Sequence, residues 1–458
     1  MAASPGDWLS RFFDPPEAAE RDPQRVPRRI FWVALFVRLA YLTFAHTYRV
    51  RSLGENFGFG FEAGRIARAL IAGRGYSDPF SNIFVDRTGP TAWLPPLYPL
   101  LMAAVFKVCG VYTAASAWVI LALNCVAGAA TAPAVWKLGM RFAGRRNALW
   151  SAWLWALYPA AMQYDVRWLW ETAITTCLFA WMLVLAMHLR VEAGEPGPAR
   201  RWHWLGFGLL WGVIALSNST LLIFLPAAGI WILLGSRKTE WRGDVISALL
   251  AAVVFAAVIT PWTLRNWVVF HTLIPLRGNF GAEMYLGNGP GATGLLMEYD
   301  HPNQAPDQLR LYARMGEVAY VKMRGDAANA FIASDPGLFV TDIVKRVYFF
   351  WASVPHPESK PGVEVPRVLD FGFLSLAGLM GLGLALLRRK PFSGVWFWAF
   401  LLVPLPYYVV TVHARFRHPL EPLIAVLGVF LFQSAERRRS HWQGSPTARA
   451  SAGSLPVS

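Results

Sequence analysis

The chain has 458 residues, of which 55% are hydrophobic and 16% charged, with 22 Trp and 14 Tyr; so little polar surface excludes a water-soluble protein of this length and makes lipid the main solvent. The formal charge of +15 does not point to nucleic acid, because Lys and Arg lie in short clusters between apolar runs, as in a chain that orients itself across a bilayer. Cys109, Cys125 and Cys177 are dispersed and lack ligand spacing, which makes them packing residues.

The first 28 residues are polar and Pro-rich, with no cleavable signal, so the first apolar run after Arg28-Arg29 is expected to stay as an anchor. A bilayer core about 30 Å thick takes roughly 20 apolar residues per helix. On that measure spans fall near 30 to 47, 112 to 135, 147 to 163, 168 to 189, 203 to 217, 219 to 236, 245 to 264, 369 to 387, 394 to 412 and 419 to 434. The break at Ser217-Asn218-Ser219 is the weakest of these divisions. Basic clusters follow every second connection, among them Arg145-Arg146, Arg200-Arg201, Arg388-Arg389-Lys390 and Arg437-Arg438-Arg439. The positive-inside rule then makes both ends cytoplasmic. The expected fold class is all-α and polytopic, with about ten transmembrane helices over 30 to 434. Tails at 1 to 29 and 435 to 458 are cytoplasmic, and the second is expected to be disordered.

Two long connections, 48 to 111 and 265 to 368, fall on the opposite, outer face. In the first, residues 62 to 72 place Ile66 and Leu70 on one side and Arg65 and Arg68 on another, an amphipathic helix suited to the membrane interface. Gly73-Arg74-Gly75 ends it. The apolar stretch 97 to 106 after Pro95-Pro96 is too short to span and is expected to be re-entrant or interfacial. In the second connection, residues 278 to 294 are Gly/Asn-rich and read as irregular backbone, followed by helical patterns at 307 to 333 and 337 to 353 on either side of Asp335-Pro336.

The residues that carry chemistry are ionisable groups at the outer boundary, where charge is costly. Glu62 is either a helix N-terminal carboxylate paired with Arg65 or a general base; Glu55 is a second candidate for the same role. Glu171, in RWLWETA, is either neutralised by Arg167 or Arg38 or part of the same chemistry, and Asp165 reads as a solvated loop residue. Arg265 in PWTLRN and His413, Arg415, Arg417 and His418 are basic on the outer face, against the orientation signal. They either snorkel to headgroups or form a phosphate site, for which the guanidinium fork is suited. Arg65, Asn266 and Asn288 are further polar candidates for substrate contact. No His/Asp/Glu cluster has metal-ligand spacing, so no metal ligand is assigned, and carboxylates alone leave a divalent cation open.

FEAGRIARALIAGRGYSDPF (61 to 80), GPTAWLPPLYPLLMA (89 to 103), WLWET (168 to 172), TPWTLRNWVVF (260 to 270), GNFGAEMYLGN (278 to 288) and HARFRHPLEPLI (413 to 424) occur in this order. In this the chain resembles the phospholipid carrier-dependent glycosyltransferases of the GT-C superfamily, which includes protein O-mannosyltransferases and lipid A aminoarabinose transferases. The resemblance covers roughly 30 to 432. It implies a GT-C-like fold and transfer of a sugar, with inversion, from a polyprenyl-phosphate donor to a hydroxyl of a lipid, glycan or protein acceptor. It also implies a plasma (inner) membrane enzyme whose site faces the periplasm or exterior. An acidic residue in the first outer loop would act as base and basic residues would stabilise the departing phosphate. The sequence departs from the D-x-x-E-Y pattern of many relatives, with Phe59 at the Asp position, and from the basic residue before Pro-Pro, where it has Leu94. The alternatives are a transporter or flippase of lipid-linked glycans, or a non-catalytic member of the fold.

Overall fold

The computed structural model describes residues 24–50, 59–191, 198–235, 241–295, 300–354 and 361–443. Glu55 and most of both tails lie outside the described residues. A helix stands at each of the ten positions where a span is expected. The series runs α1 (Arg25–Phe44), α2 (Glu62–Ile71), α3 (Leu97–Cys109), α4 (Ala114–Ala143), α5 (Arg145–Leu157), α6 (Pro159–Val166), α7 (Thr172–Val191) and α8 (Pro198–Ser217). A 3-10 turn (Ser219–Phe224) then leads into α9 (Leu225–Leu233) and α10 (Trp241–Phe270). The second long connection carries α11 (Phe280–Asn288), α12 (Pro306–Met315), α13 (Glu317–Ser334) and α14 (Pro336–Ala352). The chain closes with α15 (Pro361–Leu387), α16 (Ser393–Leu402), α17 (Leu405–Val409), a 3-10 segment (Ala414–Leu420) and α18 (Glu421–Gln443).

Among the described residues, five stretches are long and apolar enough to cross a bilayer: Ala114–Ala143, Thr172–Arg190, Trp241–Phe270, Glu364–Leu387 and Ala414–Ala435. The other expected spans are shorter, broken or more charged. Pro159 separates α5 from α6, since a proline lacks the N–H that would continue the first helix. At the 217 to 219 break the Asn218 side chain accepts from Thr220 N at 3.1 Å and starts the 3-10 turn.

The main core forms where α4 packs against α1, α5 and α7, and where α18 closes on α15, α5 and α4. Inside it lies an ion pair. Arg38 on α1 donates from Nε to Asp165 Oδ2 at 2.6 Å and from Nη1 to the Ala156 carbonyl at 2.8 Å, with both charged side chains fully buried. Asp165 is therefore the partner of Arg38, not a solvated loop residue. Arg38 is accordingly not the group that neutralises Glu171.

Two other expectations give way to packing. The helix at 62 to 71 forms, but Glu62, Ala63, Gly64, Arg65, Ile66, Ala67 and Ala69 are all buried, so protein and not the membrane interface covers it. The Gly/Asn-rich stretch contains α11 rather than only irregular backbone. Its glycines serve close helix contacts: a Cβ at Gly287 would stand 1.8 Å from the Val410 carbonyl oxygen, and one at Gly281 would stand 2.5 Å from that of Val321. The pattern at 307 to 333 divides in two at Gly316, whose φ of +77° caps α12.

Asp165→Leu strands the Arg38 guanidinium in the core and is expected to cost about 3–5 kcal/mol. The double replacement Arg38→Met with Asp165→Leu is expected to recover most of that loss, as read by thermal unfolding in one detergent. Equal losses in single and double variants would show that the pair is not the source.

Candidate functional site

The chain enters α2 through Gly60, which has φ +74° and lies so near the Leu169 carbonyl that a Cβ would come within 2.2 Å of its oxygen. That contact sets the start of α2 against the WLWET motif, with the Phe61 and Trp170 rings 5.6 Å apart. Glu62 then lies in the first turn, buried beside polar and charged groups. Asn303 Nδ2 donates to Glu62 Oε1 at 2.5 Å, and Asn303 Oδ1 accepts from Arg65 Nη1. His301 Nε2 lies 3.7 Å from the same Glu62 oxygen. Burial lifts the Glu62 carboxyl above the ordinary carboxylate range, while its own backbone N–H, Arg65, Asn303 and Arg415 hold the rise back.

Arg415 reaches this site from the 3-10 segment after α17. Its guanidinium lies 3.6 Å from the centre of the Trp170 ring, a cation–π contact that orients the fork. The charges acting on it are those of Glu171, Glu62, Glu283 and Arg277. His413 sets the turn by accepting from Arg415 N at 3.2 Å through Nδ1, with its ring 5.9 Å from Trp168. Arg415 and His413 stand against Trp170 and Trp168, Glu62 and Glu171 act electrostatically on Arg415, and Arg65 meets Glu62 through Asn303, all five legible in the sequence. Arg277, His301 and Asn303 join them without having been expected. Arg277 donates to the Trp93 carbonyl at 3.0 Å and to Glu283 at 3.2 Å. It offered the same signal as Arg265, a basic residue in a connection expected to face outward; His301 and Asn303 offered none.

Other expected site residues have structural duties. Arg417 is fully buried, donating to the Phe371 carbonyl at 2.9 Å, to Ser375 Oγ and to Glu421 at 3.2 Å. His418 is also buried, with Nδ1 2.6 Å from Glu421. Arg417 is therefore corrected from a phosphate contact to the partner of Glu421, because the approach to its guanidinium is closed by protein. Arg265, inside α10, donates to the Thr91 and Tyr76 carbonyls, each at 2.6 Å, and to Asn266 Oδ1 at 3.0 Å. Its fork is spent on backbone rather than turned toward Glu62. Asn266 is buried and donates to the Ile274 carbonyl at 2.9 Å; Asn288 is buried and donates to the Met284 and Val409 carbonyls. Both fix connections and neither touches the Glu62 cluster. Phe59, at the position where many relatives have Asp, packs in an apolar cluster 5.8 Å from Phe106 and 5.1 Å from Tyr112.

A buried carboxylate that no sequence pattern singled out holds the two long connections together. Glu317 at the start of α13 accepts from Thr91 Oγ1, from Ala92 N at 2.6 Å and from Tyr312 OH at 2.7 Å. Desolvation raises its pKa, and the three donors oppose that rise. No group of three or more His, Cys, Asp or Glu side chains is arranged to hold a metal among the described residues.

Residues 94–264 match the model of the family Dolichyl-phosphate-mannose-protein mannosyltransferase. The oligosaccharyltransferase AglB from Archaeoglobus fulgidus, in complex with an inhibitory peptide and a dolichol-phosphate, is 14% identical with a TM-score of 0.54; the match covers 94% of this chain and 52% of that one. The same oligosaccharyltransferase tethered to an acceptor peptide with the NVT sequon is 12% identical with a TM-score of 0.53, covering 91% and 50%. This chain spans about half the length of those relatives. ArnT from Cupriavidus metallidurans bound to undecaprenyl phosphate is 14% identical over 88% of this chain and 77% of that one, at a TM-score of 0.39, an overlap too loose to inform the site. No curated protein matches the sequence. Over most of this chain the fold is that of the two oligosaccharyltransferase structures. The chain is a multi-pass membrane protein that shares this fold.

Arg417→Met removes the guanidinium from the buried Glu421, leaving the carboxylate to His418, and is expected to lower stability by about 3–5 kcal/mol. Arg415→Ala, at a half-buried position stacked on Trp170, is expected to cost about 1 kcal/mol or less. Thermal unfolding of the two variants side by side checks the division between structural and site arginines; similar losses would refute it.

Proposed function

We propose that the protein transfers a sugar from a polyprenyl-phosphate donor to a hydroxyl acceptor, with inversion, and that Glu62 is its general base. The observation that carries this is the placement of Glu62: a buried carboxylate with a raised pKa, beside Arg415 and the Trp168–Trp170 wall, in a chain of GT-C fold. The two AglB structures contain a dolichol-phosphate in one case and an acceptor peptide in the other, which supports a lipid phosphate and a separate acceptor as the two substrates here.

In the proposed reaction the Glu62 carboxylate takes the proton of the acceptor hydroxyl as its oxygen attacks the anomeric carbon. The bond from that carbon to the lipid-phosphate oxygen breaks, and the phosphate leaves with the electron pair. Arg415, with Arg277 near it, stabilises the charge that collects on the phosphate. Holding donor and acceptor in line supplies much of the remaining acceleration. Arg265 is not given a phosphate role, since its donors serve the Tyr76 and Thr91 carbonyls.

The same proposal includes the topology. Ten crossings, both ends cytoplasmic and the two long connections on the outer face agree with the helix at each expected position and with the alternation of basic clusters. The inner (plasma) membrane, with the site facing periplasm or exterior, follows from that orientation.

Glu62→Gln is expected to reduce release of free lipid phosphate from a labelled polyprenyl-phosphate sugar by about 10²–10⁴-fold, with donor binding retained. Wild-type turnover in the variant would remove Glu62 from the mechanism, and donor translocation without consumption would favour a flippase. The base works only when ionised, so kcat/KM is expected to fall as pH drops, with a midpoint above the ordinary 4.5 of a glutamate. A pH profile flat from 5 to 8 with a lower limb at or below 4.5 would contradict this assignment.

A further inference from the structure

We propose that Asn303 is the positioning residue of the Glu62 base: from the second long connection it fixes one carboxylate oxygen and ties it to Arg65, leaving the other oxygen for the acceptor hydroxyl. The inference rests on the reading of Glu62 as base. Its geometry is that of an amide used at both ends. The NH₂ of Asn303 donates to Glu62 Oε1 at 2.5 Å, and its carbonyl oxygen accepts from the Arg65 guanidinium. Glu62 and Arg65 are one helical turn apart on α2, where a direct ion pair would favour whichever rotamer brought the charges closest. The bridging amide has fixed ends, one donor and one acceptor, and so selects a single orientation of the carboxylate.

His301 stands on the same side of the carboxylate. Asn303 N donates to His301 Nδ1 at 3.1 Å, which requires a lone pair on Nδ1 and puts the ring proton on Nε2. That nitrogen is the one 3.7 Å from Glu62 Oε1. The ring is held edge-on to Phe80 and Trp93, with centroids at 5.5 and 5.9 Å. In that arrangement the Asn303 N–H favours the tautomer that carries its ring proton on Nε2. Asn303 and His301 thus both address Oε1, and among the described residues no group of the second connection is placed on Oε2.

The charged and titratable groups facing Glu62 are Arg65 from its own helix, His301 from the second connection and Arg415 from the segment before α18. None of them depends on Asn303 for its presence, so replacing Asn303 changes one donor to the carboxylate and leaves the charge set intact. A donor to the ionised form lowers a carboxyl pKa, and its removal raises it. A merely structural bridge between the connections would alter stability instead.

The test uses full-length protein in lipid nanodiscs. Infrared pH titration follows the protonated carboxyl band that Glu62→Gln abolishes, and the acid limb of kcat/KM is measured alongside. Asn303→Leu, which keeps the volume without the amide, is expected to move both midpoints up by about one pH unit and to reduce kcat more than donor affinity. Asn303→Asp is expected to move them further, because it sets a second carboxylate against Oε1. Infrared midpoints that stay with the wild type in both folded variants would overturn the proposal. If the infrared midpoints shift while the wild-type protein transfers no sugar, the coupling of Asn303 to Glu62 stands and the transferase reading fails.

Discussion

The site depends on a strip of backbone, Tyr76 with Thr91 and Ala92, that is gripped from two sides. Arg265 on α10 holds the Tyr76 and Thr91 carbonyls, while Glu317 at the head of α13 holds the Thr91 hydroxyl and the Ala92 N–H. The strip has a backbone bond of its own, from Thr91 N to the Tyr76 carbonyl at 3.2 Å. Neither charged side chain finds its opposite as a direct partner there; each is satisfied by the polar groups of the strip, which removes much of the desolvation penalty of burial. The result joins α10, the first long connection and the second into one support. Asn303 and His301 can then meet Glu62 across more than two hundred positions of chain.

A second use of buried charge runs through the helical core. Arg38 with Asp165, and Arg417 and His418 with Glu421, lie at crossings among α1, α5, α6, α15 and α18. Arg346 does similar work with no carboxylate bonded to it. Fully buried, it donates to the carbonyls of Gly287, Gly294, Tyr408 and Val409 and so ties α11 and α14 to the end of α17. In a lipid solvent a stray polar group has no water to turn to, so such pairings specify which helices meet. This is also why basic residues expected to mark a phosphate site divide so sharply. Two arginines of one motif, Arg415 and Arg417, meet opposite fates because a 3-10 segment, turning about 120° per residue, sets residues two apart on different faces.

Glu62 shows how the surroundings change the meaning of a residue. On an isolated amphipathic helix it would be an ordinary first-turn carboxylate. Here α2 is buried on nearly every side, Gly60 presses it against Leu169, and the carboxyl faces Asn303 and His301. Phe59, in place of an acidic residue, lies in the apolar cluster with Phe106 and Tyr112.

By itself the sequence determined the solvent and the positions of the long apolar helices. Apolar runs of bilayer length and alternating basic clusters are local properties, and so is the break at Asn218, where a side chain caps its own turn. It also picked out Glu62, Glu171 and Arg415, because charge at a membrane boundary is rare enough to be seen without a structure. Only the tertiary structure decided which protein groups hold each arginine. Arg415 stacks on Trp170, whereas Arg265 and Arg417 are consumed by Thr91, Tyr76 and Glu421, partners remote or hidden in sequence. It alone made a helix of the glycine-rich 280 to 288, since those glycines answer to neighbouring backbone at Val321 and Val410. It alone brought in Arg277, His301 and Asn303. Their roles depend on hydrogen bonds between long connections, and such contacts leave no periodicity in the chain.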